Sequence, residues 1–71
     1  MTPAQEKEAF VETEMSALLQ KLNIGIKETW YDEDGGKEYV YIEFWDGTMR
    51  RVDVTGENCT ALLLDVIHFL N

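Results

Sequence analysis

Few residues of this 71-residue sequence combine the type and spacing that chemistry requires. The segment that begins with DEDGG places Asp32, Asp34 and Glu43 at positions 1, 3 and 12 of a possible calcium loop. Such a loop needs glycine at position 6, where Lys37 stands, and helices on both sides, where this sequence predicts strands. We therefore predict no calcium site here.

Cys59 and His68 are the only thiol and the only imidazole of the chain. Cys59 falls near the start of a predicted helix, where a thiolate is favoured, but a nucleophile also needs a base within reach. His68 lies over two helical turns farther on, near the opposite side of that helix. Because no zinc spacing, phosphate-binding loop or Ser-His-Asp grouping is present either, we predict no enzyme, no metal and no cofactor.

The charge of the chain is strongly acidic, with fourteen Asp and Glu against six Lys and Arg and a formal charge of −8. This sign disfavours direct binding to nucleic-acid phosphates and to anionic membrane surfaces. It is compatible with a protein partner that has a basic surface, and equally with a role in solubility alone. The lone cysteine and the absence of an apolar leader predict a cytoplasmic protein.

A first helix is predicted at about residues 3 to 22. Thr2, Pro3 and Gln5 form a capping-box pattern at its start, and Asn23 is a candidate left-handed cap at its end. One apolar stripe follows the helical period and indicates a core-facing side. It consists of Val11, Met15, Leu18, Leu19 and Leu22.

The segment IGIKETWY (24–31) alternates as a strand does, and the DEDGG turn follows it. Its apolar side is predicted to consist of Ile24, Ile26 and Trp30. Its other side is predicted to consist of Lys27, Thr29 and Tyr31. Glu28 interrupts the apolar side, so we expect the strand to bend there or to reach a sheet edge.

Residues 38–54 predict a β-hairpin that turns at an Asp-Gly pair. A two-residue turn would set Val40 opposite Asp53, whereas a three-residue loop with Gly47 in the left-handed region sets Val40 opposite Val52. We prefer the second register because it unites an apolar inner face of Val40, Ile42, Phe44, Val52 and Val54. It also pairs Tyr39 with Asp53, Tyr41 with Arg51, Ile42 with Arg50, Glu43 with Met49 and Glu38 with Val54.

A second helix is predicted over CTALLLDVIHFL, with Thr55, Gly56 and Asn58 as competing caps. Its apolar residues cover more than half of the helical circumference, and a helix of this kind usually contacts two other elements. Cys59 is expected to be a small core residue and His68 to lie at the solvent edge.

These elements predict a single α+β domain over residues 1–71, in the order α-β-β-β-α. We expect a three-stranded antiparallel meander with both helices packed on one face, and a core that includes Leu18, Leu22, Val40, Ile42, Leu63 and Val66. Double-stranded-RNA-binding domains share this order, but they carry lysines at the start of the last helix, where this chain reads TGENCTALLLD. Element order alone does not carry function.

The outer sheet face is the surface with the composition of a protein interface, since Tyr, Met and Arg are enriched there. It is predicted to carry Lys27, Thr29, Tyr31, Tyr39, Tyr41, Glu43, Met49, Arg51 and Asp53, with Trp45 at the hairpin tip. Three interpretations stay open: cross-strand pairing alone with Arg51 over Tyr41, burial in a homo-oligomer, or a foreign partner.

Two classes of function follow. The first is a non-enzymatic interaction module for a basic protein, whose acids imitate a phosphate array and block a nucleic-acid-handling enzyme, as small inhibitors from phages and mobile elements, including anti-CRISPR proteins, do. Its candidate partner-binding residues are Tyr31, Tyr39, Tyr41, Trp45, Arg51, Glu8, Glu12, Asp32, Glu33 and Asp34. The second is a homodimeric structural or regulatory protein that uses the last helix or the tyrosine-bearing face.

Overall fold

A computed structural model describes residues 2–70 of the chain. Helix α1 covers residues 3–22 as α-helical Pro3–Phe10, π-helical Val11–Met15 and α-helical Ser16–Leu22. The remaining elements are strands β1 (Ile26–Asp34), β2 (Lys37–Phe44) and β3 (Met49–Asp53) and helix α2 (Cys59–Leu70). The sheet is antiparallel in the order β1-β2-β3, so the predicted α+β class and meander are confirmed.

The start of α1 has the predicted capping box. Thr2 Oγ1 accepts a hydrogen bond from the Gln5 amide at 3.2 Å, and the Gln5 side chain accepts one from the Thr2 amide at 2.9 Å. The predicted left-handed cap at the other end is wrong, because Asn23 is extended with φ −145° and ψ 105°. Its side chain instead accepts a hydrogen bond from the Gly25 amide and shapes the turn into β1.

The π-helical segment changes which side of α1 faces the core. A π-helix closes its hydrogen bonds one residue later than an α-helix, so the buried stripe advances in steps of four residues. Val11, Met15 and Leu19 are buried on this stripe, whereas Leu18 and Leu22 are rotated into solvent. The prediction that Leu18 and Leu22 are core residues is therefore wrong.

A β-bulge reverses the predicted faces of β1. The pairing with β2 shifts between Ile26 and Glu28, which leaves Lys27 as an extra residue. Beyond this bulge the alternation is inverted, so Thr29 and Tyr31 point to the core, Tyr31 with only 6% of its surface exposed. The predictions that Thr29 and Tyr31 lie on the outer face, and Trp30 on the inner face, are wrong. Ile24, predicted in the strand, lies in the preceding turn.

The hairpin between β2 and β3 has the predicted register. Val40 pairs with Val52 and Tyr41 with Arg51, and the Val54 amide bonds the Glu38 carbonyl at 2.9 Å. The loop has three residues, and Gly47 is left-handed with φ 91°. The other predicted pairs, Tyr39 with Asp53, Ile42 with Arg50 and Glu43 with Met49, are also present.

One buried cluster joins residues of both helices and of β1 and β2 with Val54, which directly follows β3, and Val52 of β3 packs against it half-buried. The predicted core residues Val40, Ile42 and Val66 are buried, and so is Val54 of the predicted inner face. Leu63, also predicted in the core, is half-buried against the cluster. Helix α2 is capped by Asn58, whose Oδ1 accepts from the Ala61 amide at 2.8 Å. Among the described helices, none has the length and apolarity needed to cross a membrane.

Candidate protein-binding surface

The outer face of the sheet carries a row of aromatic side chains that crosses two strands. Trp30 of β1 stacks on Tyr41 of β2, with ring centroids 5.6 Å apart and planes 11° from parallel. Tyr41 in turn contacts Tyr39 at 6.3 Å in a tilted arrangement. Each of the three side chains is half-buried, because neighbouring rings cover one another. We call Trp30, Tyr39 and Tyr41 the aromatic row.

Arginine already occupies one end of the aromatic row. The guanidinium carbon of Arg51 lies 4.5 Å from the centroid of the Tyr39 ring. The cation–π contact is therefore diagonal, and the predicted position over Tyr41 is wrong, although Arg51 is the strand partner of Tyr41. The contact leaves the side of the row formed by Trp30 and Tyr41 free of any described cation–π contact.

Carboxylates border the aromatic row at both ends. Tyr39 lies between Asp32 of β1 and Asp53 of β3 in the sheet register, and all three side chains leave the sheet on the side opposite the core. At the other end, Glu28 pairs with Glu43 next to Tyr41. Aromatic rings between carboxylates form a surface that attracts cations from two directions.

The hairpin tip extends this surface. Trp45 lies in the three-residue loop with 67% of its surface exposed, and the Lys27 ammonium stands 5.5 Å from its ring centroid. Lys27 follows the buried Ile26 and lies on the outer side, as the strand alternation predicts. Trp45 is therefore at the tip, as predicted from the sequence.

A groove separates the aromatic row from α1. Its walls include Glu12 on α1 and Glu28 and Trp30 on β1, and Thr29 forms part of its floor. The Thr29 hydroxyl donates a hydrogen bond to the Val11 carbonyl at 2.8 Å, which fixes the π-helical segment against β1. Glu12 thus shares a cleft with a residue of the aromatic row.

A buried carboxylate supports the sheet from the inner side. Glu38 is 8% exposed and accepts hydrogen bonds from Lys7 Nζ at 2.7 Å, from the Gly56 amide at 2.8 Å and from the Tyr31 hydroxyl. Burial alone would raise the pKa of Glu38, but these three donors outweigh it and lower the pKa to about 2. Burial, with the Glu38 carboxylate next, raises the pKa of Tyr31 far above its ordinary value. Tyr31 therefore positions Glu38 and is covered by the core, although the sequence placed it among the partner-binding residues.

The contacts of α1 show which acids share an end of the molecule. Lys7 reaches Glu38 beside the β1–β2 turn, whereas the Gln20 side chain donates to the Lys27 carbonyl near the start of β1. Helix α1 thus runs antiparallel to β1, and its first turns lie near the end of that strand. We call the exposed acids of this region the acidic end: Glu6, Glu8, Asp32, Glu33 and Asp34.

The predicted partner-binding residues therefore fall into two groups, with Glu12 apart from both and Tyr31 buried. Tyr39, Tyr41 and Arg51 share the outer sheet face, with Trp45 at its tip. The acidic end brings together Glu8 with the three acids that follow Tyr31, while Glu12 lies in the groove. Trp30 was not among the residues predicted to bind a partner, although the interrupted strand pattern at Glu28 was a signal of the bulge that turns Trp30 outward.

Cys59 is half-buried and His68 is exposed. Within residues 2–70, no three Cys, His, Asp or Glu side chains are grouped so that they could hold a metal ion. No protein-family model matches the chain, and neither a curated protein nor a solved structure matches it.

Proposed function

We propose that this chain is a non-enzymatic protein-interaction module that binds a basic surface of another protein through its outer sheet face. The observation that carries the proposal is the aromatic row with carboxylates at both of its ends. Trp30 and Tyr41 offer stacked rings, and Glu28 and Glu43 lie beside them. This combination suits arginine, whose planar guanidinium stacks on a ring while it donates hydrogen bonds to a carboxylate.

The contact between Arg51 and Tyr39 illustrates the geometry that a partner would use. Its separation of 4.5 Å is within the range of favourable cation–π contacts. A partner arginine over Tyr41 would repeat this contact one position along the row, with Glu43 as its carboxylate. Aromatic side chains and arginine also dominate the strongest contacts of protein interfaces.

The acidic end supports the choice of a basic partner. Its five carboxylates are exposed, and the chain carries a formal charge of −8. Such a field attracts a positively charged surface over a distance of about one Debye length, roughly 10 Å at 0.1 M salt. The acidic end would guide the encounter and the aromatic row would hold the complex.

A narrower form of the proposal concerns the partner. The acidic end would imitate nucleic-acid phosphates and occupy the basic groove of a nucleic-acid-handling enzyme, as small acidic inhibitors from phages and mobile elements do. The proposal also places the chain in the cytoplasm, where a half-buried lone thiol such as Cys59 stays reduced.

The test begins with affinity capture from the native host, followed by mapping of the purified complex by NMR. We expect amide shifts concentrated on Trp30, Tyr39, Tyr41 and the acidic end. Shifts confined to α2 would contradict the proposal. For the narrower form, duplex DNA should displace the chain from its partner, and a complex that ignores excess DNA would remove the inhibitor interpretation.

A further inference from the structure

An exposed apolar surface lies at the end of the molecule opposite the acidic end. Ile24 is 89% exposed and Leu22 is 64% exposed. They border a cleft of about 540 Å³ that is also lined by Ile67 and Leu70 of α2, and Phe69 is exposed in the same last turn. We call Leu22, Ile24, Ile67, Phe69 and Leu70 the apolar end.

The direction of the two helices creates this surface. The start of α2 lies beside the start of α1, where Asn58 and Cys59 share a hollow with Lys7. The last turn of α2 lies beside the last turn of α1, at Leu22. The helices are therefore parallel, and their carboxyl ends, together with the turn at Ile24, meet at one end of the fold.

The charges around the apolar end differ from those of the rest of the chain. Lys21 lies in the last turn of α1, and Arg50 and Asp46 line an adjoining groove with Phe69. Among the described residues, the charged side chains of this helical turn and of the adjoining groove are two cations and one carboxylate, in a chain whose total is −8. Most of the excess negative charge is carried elsewhere on the fold.

We propose that the apolar end binds the apolar end of a second copy of this chain and forms a homodimer. The charge distribution selects this occupant and this orientation. Two copies that each carry a charge of −8 repel one another, and the repulsion is smallest where the meeting surfaces have the least negative charge. Apolar side chains at that same place supply the attraction.

The elongated shape of the fold also favours contact between the apolar ends. The longest extent of the molecule is 31 Å, close to the roughly 30 Å that a nine-residue strand and a twenty-residue helix span. Contact between the apolar ends therefore separates the two acidic ends by several Debye lengths at about 0.1 M salt. The arrangement leaves the aromatic row of each copy exposed, so the dimer has two copies of that surface.

Sedimentation equilibrium of the wild-type chain and of two aspartate variants tests the proposal. Ile24→Asp puts a charge into the apolar end, and Leu64→Asp puts the same charge on a 61% exposed position of α2 whose side chain does not line the cleft. We expect a dimer with a micromolar dissociation constant, weakened more than about tenfold by Ile24→Asp and unchanged by Leu64→Asp. Raising the salt from about 0.05 M to about 0.5 M should strengthen the dimer, because it screens the repulsion.

Three results would overturn the proposal. A wild-type chain that stays monomeric up to about 100 μM has no dimer in the expected range. A dimer unchanged by Ile24→Asp does not use this surface, and a dimer broken equally by Leu64→Asp uses the exposed side of α2 instead. Thermal melts check that each variant is folded, and Leu22→Lys gives a second substitution in the apolar end. The outcome is independent of partner binding, which should weaken with salt.

Discussion

Lys7 of α1 and Glu38 of β2 form a 2.7 Å ion pair that joins the first helix to the sheet. The two side chains are largely excluded from solvent, so their charges are screened less than those of a surface pair. Glu38 also accepts from the Tyr31 hydroxyl and the Gly56 amide, which connects β1 and the segment before α2 to the same carboxylate. The Glu38 carboxylate on β2 therefore connects that strand to α1, to β1 and to the segment before α2.

Glu38→Gln should destabilise the fold by about 2–4 kcal/mol, because it leaves the Lys7 ammonium without its charged partner in a buried setting. Urea unfolding measures this loss. Glu33→Gln is the matched control, since Glu33 is the exposed strand partner of Glu38, and its effect should stay within about 0.5 kcal/mol. Equal urea midpoints for Glu38→Gln and Glu33→Gln would show that the buried ion pair adds no measurable stability.

Stability should pass through a maximum near pH 4.5, because two glutamates titrate in opposite senses. Glu38 has a pKa of about 2 in the fold, below its ordinary 4.5, so its contribution is complete above pH 4.5 and is lost as the pH falls towards 2. A hydrogen bond with Asp65, with burial next, raises the pKa of Glu57 to about 7. The fold therefore holds this proton more tightly than the unfolded chain does, and stability declines between pH 4.5 and 7.

The Glu57→Gln variant isolates the second of these effects. Its uncharged amide can donate a hydrogen bond to Asp65 at every pH, so the decline between pH 4.5 and 7 should flatten while the acid limb stays. Thermal melts from about pH 3 to about pH 8 record both limbs. A wild-type melting temperature that rises steadily across pH 4.5 to 7 would contradict the assigned sign.

The hairpin could be predicted from sequence to the level of individual residue pairs. The Asp-Gly pair restricted the loop to two lengths, and only one of them placed Val40, Ile42 and Val54 on the same face. The observed loop follows that choice, with Gly47 in the left-handed region where other residues are strained. The turn residues and the two-residue alternation of the strands both favoured the same register, so the register could be predicted.

Two irregularities limited the prediction: the interruption at Glu28 indicated a bend in β1 but not the exchange of faces that follows it, and the π-helical segment has no mark in the sequence. The bulge at Lys27 exchanges the faces of Trp30 and Tyr31, and the π-helical segment rotates Leu18 and Leu22 into solvent. Both depend on contacts between elements, such as the hydrogen bond from the Thr29 hydroxyl to the Val11 carbonyl. The spacing of apolar residues along the sequence does not indicate such contacts. The sequence could therefore identify the outer sheet face as a candidate site but not all of its members.

Alanine substitutions should destabilise the fold strongly at the buried Ile42 and weakly at Leu22, which the π-helical segment turns into solvent. Ile42→Ala removes a fully buried side chain beside β3 and should cost about 2–5 kcal/mol. Leu22→Ala removes one that is 64% exposed and should cost less than about 1 kcal/mol. Chemical denaturation of both variants, at a concentration where the chain is monomeric, tests the rotation. Comparable losses of unfolding free energy in the two variants would show that Leu22 belongs to the core.

The acidic end should govern the rate of association with a basic partner. Replacing Glu8, Asp32 and Asp34 with their amides should slow association by about tenfold at low salt and leave dissociation nearly unchanged, because exposed charges act mainly on the encounter. The thermal melt should change little, since all three side chains are exposed. Stopped-flow measurements at two salt concentrations test this. An association rate that responds to neither salt nor these substitutions would remove the phosphate-mimic interpretation.

The aromatic row should govern the lifetime of the same complex. Tyr41→Thr retains a residue that favours strands but removes the ring that stacks on Trp30 and would receive a partner arginine. Loss of one central aromatic contact costs about 2 kcal/mol in many interfaces, which corresponds to dissociation about thirtyfold faster with little change in the association rate.

Leu64→Ala is the control, because it removes an exposed apolar side chain on α2 rather than on the sheet. If both variants dissociate like the wild type, the outer sheet face is not the site that holds the partner. If only Tyr41→Thr dissociates faster, the row bounded by Glu28, Glu43, Asp32 and Asp53 holds it.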